Sequence, residues 1–172
     1  MFKKHKFYEC IWNIKCVDMN GKLRWEEEHP NILVDEGEKA ILDVFFRDKD
    51  SLYFSDLDNP KFYVGLYRGT VTESTILATI PNEPTGNGYA RLVCERSSVG
   101  WPTIEQDEGD YRVISKEFTL TASGGTIGPV NGAFIGTSSD NSGVLIGAVA
   151  MSIERTILSG DTIIFQMRVK LK

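Results

Sequence analysis

The stretch that decides the fold is YECIWNIKCVDMNGKLRWE, residues 8–26. In residues 8–16 apolar side chains recur at every second position, with only Ile11 out of step, and this period of two predicts a half-buried strand. Asn20-Gly21 then supplies the strongest short-range signal for a tight hairpin turn. Alternation resumes in residues 22–26, so the stretch predicts two antiparallel strands joined by that turn.

The rest of the chain continues the β pattern, and its last strand is the most regular. Apolar side chains on one face of this strand are Ile163, Phe165, Met167, Val169 and Leu171. Further strands are predicted at residues 61–67, 90–95, 111–120, 126–137 and 143–153, with glycine-rich turns between them. Eight to ten strands at intervals of about ten residues are typical of an antiparallel β-sandwich or a jelly-roll-like barrel. The length of 172 residues fits one such all-β domain.

Two local features refine this picture. Residues 35–45 predict a short amphipathic helix, because Asp35-Glu36 places acidic groups in the first turn and apolar groups follow at spacings of three and four. We expect this helix to plug one open end or face of a sheet. Gly65, inside the strand at 61–67, indicates a bulge or a close approach of another part of the backbone.

Composition excludes some classes of partner. The hydrophobic fraction of 41% is ordinary for a globular protein, and 19 basic against 24 acidic residues leave a net charge of −5. This balance argues against nucleic acid, whose binding requires clustered Lys and Arg. The one basic cluster is Lys3-Lys4-His5-Lys6, either a solvated terminus or an arm that touches an acidic partner. We see no signal peptide and no apolar stretch that could span a membrane, so we expect a protein made and used in solution.

The three cysteines, Cys10, Cys16 and Cys94, do not predict a disulfide scaffold. In a single strand, Cys10 and Cys16 would lie about 20 Å apart, far beyond the reach of a disulfide. A zinc site is also disfavoured, because the only histidines are His5 and His29 and no CxxC motif occurs. We expect buried free thiols.

Motifs for catalysis or cofactor binding are missing from the sequence. The glycines at 124–128 lack the ending of a phosphate-binding loop, and no GxSxG elbow occurs. Asp48-Lys49-Asp50 lacks the glycine and the spacing of a calcium loop, and the carboxylate-rich runs fall in predicted loops or at strand ends. We therefore expect no enzyme activity, no cofactor and no metal; an enzyme built on paired carboxylates remains the third alternative.

The three tryptophans are candidates for core packing or for binding. Trp12 and Trp25 fall on the apolar faces of the predicted hairpin, which favours the core. Trp101, between Gly100 and Pro102, is the best candidate for an exposed aromatic side chain.

Five segments, in the same order along the chain, resemble structural proteins of tailed bacteriophages. They are the hairpin at 12–25, the Pro30-Asn31-Ile32-Leu33-Val34-Asp35-Glu36-Gly37 segment with Ile41-Leu42-Asp43, the strand Phe62-Tyr63-Val64-Gly65-Leu66, the segment Gly86-Asn87-Gly88-Tyr89-Ala90-Arg91, and the turn Thr156-Ile157-Leu158-Ser159-Gly160-Asp161-Thr162. Each segment alone is weakly specific, because it consists of strand and turn residues. The ordered set spans nearly the whole chain. The acidic insertion at 48–59 and the cysteines depart from the pattern.

The resemblance implies a virion component, and several similar proteins are capsid decoration or cement proteins. We therefore expect a head-stabilising protein that is made in the bacterial cytoplasm, binds the major capsid protein on the outer surface of the capsid, and forms a homotrimer matched to threefold lattice positions. The residues expected to make contacts are Lys3, Lys4 and Lys6 of an arm at about residues 1–6, Asp48, Asp50 and Asp56 of the acidic loop, and Trp101. The alternative is a tail or neck protein, or a receptor-binding adhesin, on the same scaffold.

Overall fold

The computed structural model describes residues 8–47, 50–54, 60–107 and 110–171. Its strands are β1 (Tyr8–Val17), β2 (Leu23–Pro30), β3 (Ile32–Leu33), β4 (Lys61–Tyr67), β5 (Leu92–Glu95), β6 (Thr103–Asp107), β7 (Asp110–Ile114), β8 (Phe118–Thr121), β9 (Ile127–Gly136), β10 (Leu145–Ile157) and β11 (Thr162–Leu171). One α-helix, α1 (Asp35–Arg47), and two short 3₁₀ turns, Asp50–Leu52 and Leu77–Thr79, complete the described chain. The predicted all-β class with one short helix is confirmed.

Two antiparallel sheets make up the sandwich. The first has the order β2-β1-β11-β7-β6, and β8 also pairs with β11. The second has the order β3-β10-β9-β4-β5. Strands β1 and β11 are neighbours over their whole length, from Tyr8 opposite Leu171 to Val17 opposite Thr162. The two strands with the clearest alternation in the sequence therefore pair within the first sheet.

The main core lies between the sheets and contains the side chains that alternate inward from β1 and β11. The buried members from these two strands are Cys10, Trp12, Ile14, Cys16, Ile163, Phe165 and Met167. The Trp12 and Phe165 rings meet edge to face, with centroids 6.3 Å apart. Their burial agrees with the predicted alternation and confirms Trp12 as a core residue.

A second, smaller core covers the outer face of the second sheet. Here two aromatic rings each lie opposite a glycine on the neighbouring strand: Phe134 opposite Gly65, and Tyr67 opposite Gly132. A Cβ atom added at either glycine would clash with the facing ring. Gly65 therefore marks a close approach by a side-chain ring and not by backbone as predicted, and both faces of this sheet are buried at these positions.

Another glycine, Gly37, allows α1 to pack closely against the second sheet. Asn31 carries the chain from β2 to β3, which pairs with β10 in the second sheet. In the first turn of α1, a Cβ atom at Gly37 would clash with the backbone carbonyl of Ile146 in β10. The helix therefore packs directly on that strand, and its buried Ala40 faces the space between the sheets.

The region predicted as one strand at 111–120 forms two. Strands β7 and β8 both pair with β11, at 168–170 and at 162–165, and residues 115–117 interrupt them. The buried Ser115 explains the break, because its hydroxyl accepts a hydrogen bond from the Met167 N–H at 2.9 Å. Strand β6 lies in a polar stretch that gave no apolar alternation. These two differences, together with the short β3, raise the number of described strands to eleven.

A bulge in β10 ties the two sheets together at one edge. Between Ala150 and Arg155 the register with β9 shifts by several residues, and this part of β10 turns toward β2. There the Glu27 carboxylate accepts a hydrogen bond from the Ser152 N–H at 2.8 Å and pairs with Arg155 and His29. Partial burial alone would raise the pKa of Glu27, but these partners together lower it to about 2.

We predict that Glu27→Gln destabilises the protein more at neutral pH than in acid. The folded-state pKa of Glu27, about 2, lies below its ordinary value of 4.5. Ionised Glu27 therefore stabilises the fold at pH above that ordinary value, and the contribution is lost as the pH falls toward 2. Urea unfolding of both proteins at about pH 7 and about pH 3 measures this effect.

The control is Glu154→Gln, because Glu154 forms an exposed pair with Arg68. This change should cost little at either pH. An equal loss of stability from Glu27→Gln at both pH values would contradict the assignment.

Candidate docking surface

Two of the seven residues expected to make contacts lie in the described part of the chain, Asp50 and Trp101. Lys3, Lys4, Lys6, Asp48 and Asp56 lie outside the described residues. Asp50 begins the 3₁₀ turn that follows α1, and Trp101 precedes β6.

Asp50 forms an ion pair with an arginine, Arg96, that no sequence pattern singled out. Its carboxylate lies 2.6 Å from the Arg96 guanidinium. The same guanidinium lies over the Phe54 ring, 4.8 Å from the ring centroid. About a third of each charged side chain is exposed, so the pair sits at the surface while its arginine covers an aromatic ring.

A row of three aromatic rings connects Asp50 to Trp101. Phe54 meets Phe62 edge to face at 5.5 Å between centroids, and Phe62 meets Trp101 in the same way at 6.5 Å. We call Phe54, Phe62 and Trp101 the aromatic row. Asp50 and Trp101, more than fifty residues apart in sequence, therefore lie at the two ends of one contiguous structure.

Local backbone contacts hold Trp101 in place. Its N–H donates to the Ser97 carbonyl at 2.9 Å, and a Cβ atom at Gly100 would clash with the carbonyl of Glu95. The ring is half-buried and packs against the main core, as does that of Trp25. Trp101 thus presents only part of its surface to solvent.

The helix positions the other end of the row. Tyr53, beside Phe54, donates its hydroxyl hydrogen to the buried Asp43 carboxylate of α1 at 2.6 Å. Lys39, one turn earlier, lies 2.7 Å from the same carboxylate. These contacts fix residues 50–54 against α1, and they explain why a predicted loop has a defined conformation there.

A cavity of about 330 Å³ opens behind the aromatic row. It lies between the two sheets beside α1, and its walls include Cys10 and Val169 from the first sheet and Ile135 from the second. Ala40 and Val44 of α1 form another part of the wall. The sequence did not predict this cavity, because apolar residues at these positions are typical of an ordinary core.

The segments at 62–66 and 86–91, quoted in the sequence analysis, contact each other. The Leu66 N–H of one segment donates to the Tyr89 hydroxyl oxygen of another at 2.9 Å. Arg91, two residues on, lies over the Phe134 ring, which in turn covers Gly65. Tyr89 also donates to Glu83 at 2.7 Å, and burial together with Glu83 raises the pKa of Tyr89 well above its usual range.

The opening hairpin and the closing turn are joined in the same way. Arg24 in β2 lies 2.5 Å from the buried carboxylate of Asp161, which ends the turn before β11. Gly37, in a further segment, allows the contact of α1 with β10 described above. These contacts join separate segments of the chain into one packed framework.

The titratable groups described so far have structural partners. His29 pairs with Glu27, and the pKa of Asp140 is lowered to about 2 by hydrogen bonds from Ser138 and Ser142 within one turn. In the described ranges, no three His, Cys, Asp or Glu residues gather as a metal site would require. No helix in these ranges is long and apolar enough to span a membrane.

We predict that the cysteines react slowly with the thiol reagent DTNB while the protein is folded. All three are buried, and none of them is in a disulfide. Burial, with the nearby Asp161, raises the pKa of Cys16 to about 11, and burial raises that of Cys94 to about 12. At about pH 8 the folded chain should release little of the coloured thiolate that DTNB yields on reaction, whereas the denatured chain should react at all three thiols. Rapid reaction of one thiol in the folded chain would contradict this burial.

We also predict that the pair of Asp50 and Arg96 contributes little to stability. A double-mutant cycle with Asp50→Asn and Arg96→Gln should give a coupling energy of about 0.5–1 kcal/mol, because both groups are partly exposed. Urea unfolding of the four proteins measures it. A much larger coupling would make the pair a structural requirement and exclude Asp50→Asn as a probe of binding.

Comparisons with known proteins found no matching family model, no matching curated protein and no matching solved structure. The function of the chain is therefore inferred from its own residues, its fold and the ordered segments quoted above.

Proposed function

We propose that this protein is a structural component of a tailed-phage virion that binds the outer surface of the capsid as a decoration protein. In this role it has no catalytic activity and needs no cofactor. Its partner is the major capsid protein, and it acts as a homotrimer that stabilises the head.

The observation that carries the proposal is the ordered set of phage-like segments. They are far apart in sequence, yet two of them meet at Leu66 and Tyr89, and two others are joined through Arg24 and Asp161. Contacts between separate segments are what a shared scaffold requires. This supports reading the segments as one framework, and not as independent matches to common turns.

The departures from that framework supply the candidate contacts. Asp50 lies within the insertion at 48–59, and its ion pair with Arg96 borders the aromatic row. A partly exposed charged pair beside the buried Phe54 ring and two half-buried rings combines features of the rim and the core of protein interfaces. The trimer follows from symmetry, because a closed threefold assembly matches the threefold positions of a head lattice.

Co-sedimentation with purified capsids tests the proposal. The full chain should pellet with mature empty capsids of its parent phage at a saturable ratio, and not with isolated tails or host cells. Saturation at a multiple of three copies per binding position would support the trimer. Pelleting with tails or cells instead would overturn the decoration role in favour of a tail protein or an adhesin.

Three variants locate the contact. Deletion of residues 2–6 and the change Asp50→Asn should each weaken capsid binding while urea unfolding stays close to that of the wild type. Glu154→Gln is the matched control, since it removes a carboxylate from an exposed arginine pair elsewhere in the sandwich. Full capsid occupancy by both test variants would exclude the arm and the Asp50 edge as docking sites.

A further inference from the structure

The cavity behind the aromatic row is a candidate ligand site that the proposed function does not use. Its volume of about 330 Å³ lies within the range of small-molecule sites. For comparison, a cavity of about 150 Å³ lined by apolar side chains holds a benzene molecule. The space is therefore large enough for a fused pair of aromatic rings or a medium-length alkyl chain.

The polar groups on its wall already have partners. Arg96 is paired with Asp50 at 2.6 Å. The Thr137 hydroxyl oxygen accepts a hydrogen bond from the Val144 N–H at 3.0 Å, and the Tyr53 hydroxyl donates to Asp43. A charged group entering the cavity would have to displace one of these partners, at the cost of leaving another charge unpaired.

The remaining wall favours flat or flexible apolar groups. Phe54, Phe62 and Trp101 present ring surfaces fixed by their edge-to-face contacts, and Val44 and Val169 face them with aliphatic groups. Burial of a ligand's apolar area against such walls favours binding.

We propose that this cavity binds an uncharged, predominantly apolar small molecule, such as a fused aromatic compound or a medium-chain alcohol. The site is set by α1, the aromatic row and the inner faces of both sheets. It shares Arg96 and the aromatic row with the proposed capsid contact, but its test uses the protein without capsids.

Fluorescence titration with 1-aminonaphthalene, an uncharged probe with two fused aromatic rings, tests the site. The full chain should bind the probe saturably at one site, with enhanced probe emission. Ala40→Leu and Val44→Trp each place a larger side chain on the cavity wall and so fill part of the cavity. Each should weaken probe binding by about tenfold or more. Leu158→Trp is the matched control, because Leu158 is exposed and is not part of the cavity wall.

Circular dichroism and urea unfolding establish which variants are folded. Val44 is only half-buried, so Val44→Trp provides a filled cavity even where Ala40→Leu prevents folding. Absence of saturable probe binding by the wild type, or unchanged binding by a folded Val44→Trp variant, would overturn the site.

Competition distinguishes the class of ligand. Decanol should displace the probe at lower concentration than decanoate does, since Arg96 is already paired with Asp50. Displacement by decanoate at lower concentration would overturn the assignment to uncharged ligands and show that Arg96 receives a carboxylate.

Discussion

The pairing of β1 with β11 is the constraint on which the rest of the structure depends. It joins the start of the described chain to its end over ten residue pairs and brings Trp12 against Phe165 in the main core. Strands β2, β7 and β8 all attach to this central pair. Since the pair closes a loop of about 150 residues, the first sheet can form only after its most distant parts have met, and such topologies fold slowly.

The second sheet depends on a different device, the placement of glycines opposite large rings. Gly65 and Gly132 accept Phe134 and Tyr67, so the outer face of this sheet is buried without a second complete layer. Gly37 brings α1 onto β10 by the same principle. The helix then fixes residues 50–54 through Asp43 and Tyr53 and so determines where Asp50 and the aromatic row lie.

The alternation of apolar side chains and the residues typical of tight turns made much of the fold predictable. The alternation in β1 and β11 and the Asn20-Gly21 turn are local signals, and the structure has the strands and hairpin that they indicate. Strand β6 was missed because its residues show no apolar alternation, although it pairs with β7, the next strand along the chain. The interruption at Ser115 was missed because it depends on one hydrogen bond, from the Met167 N–H to the Ser115 hydroxyl.

The candidate site was less predictable than the fold. Asp50 and Trp101 were selected from charge and from flanking residues, whereas Arg96, Phe54 and Phe62 connect them only through tertiary contacts. No local pattern predicts that a salt bridge, three rings and a cavity will share one end of a sandwich. The sequence therefore predicted the β framework and two of the described site residues. Only the structure shows how the site residues are arranged around one another.

The bulge in β10 has a consequence for how copies of this protein behave beside one another. Strand β2 is an edge of the first sheet and carries three consecutive glutamates at 26–28. The bulge contacts β2 at Glu27, whose carboxylate accepts a hydrogen bond from the Ser152 N–H. Glu28 forms an ion pair with Arg168 of β11. Charged and bulged edges resist pairing with a further strand, and two such edges side by side would bring like charges together. At high local concentration this edge is protected against open-ended polymerisation through its backbone, and contacts between copies have to form elsewhere.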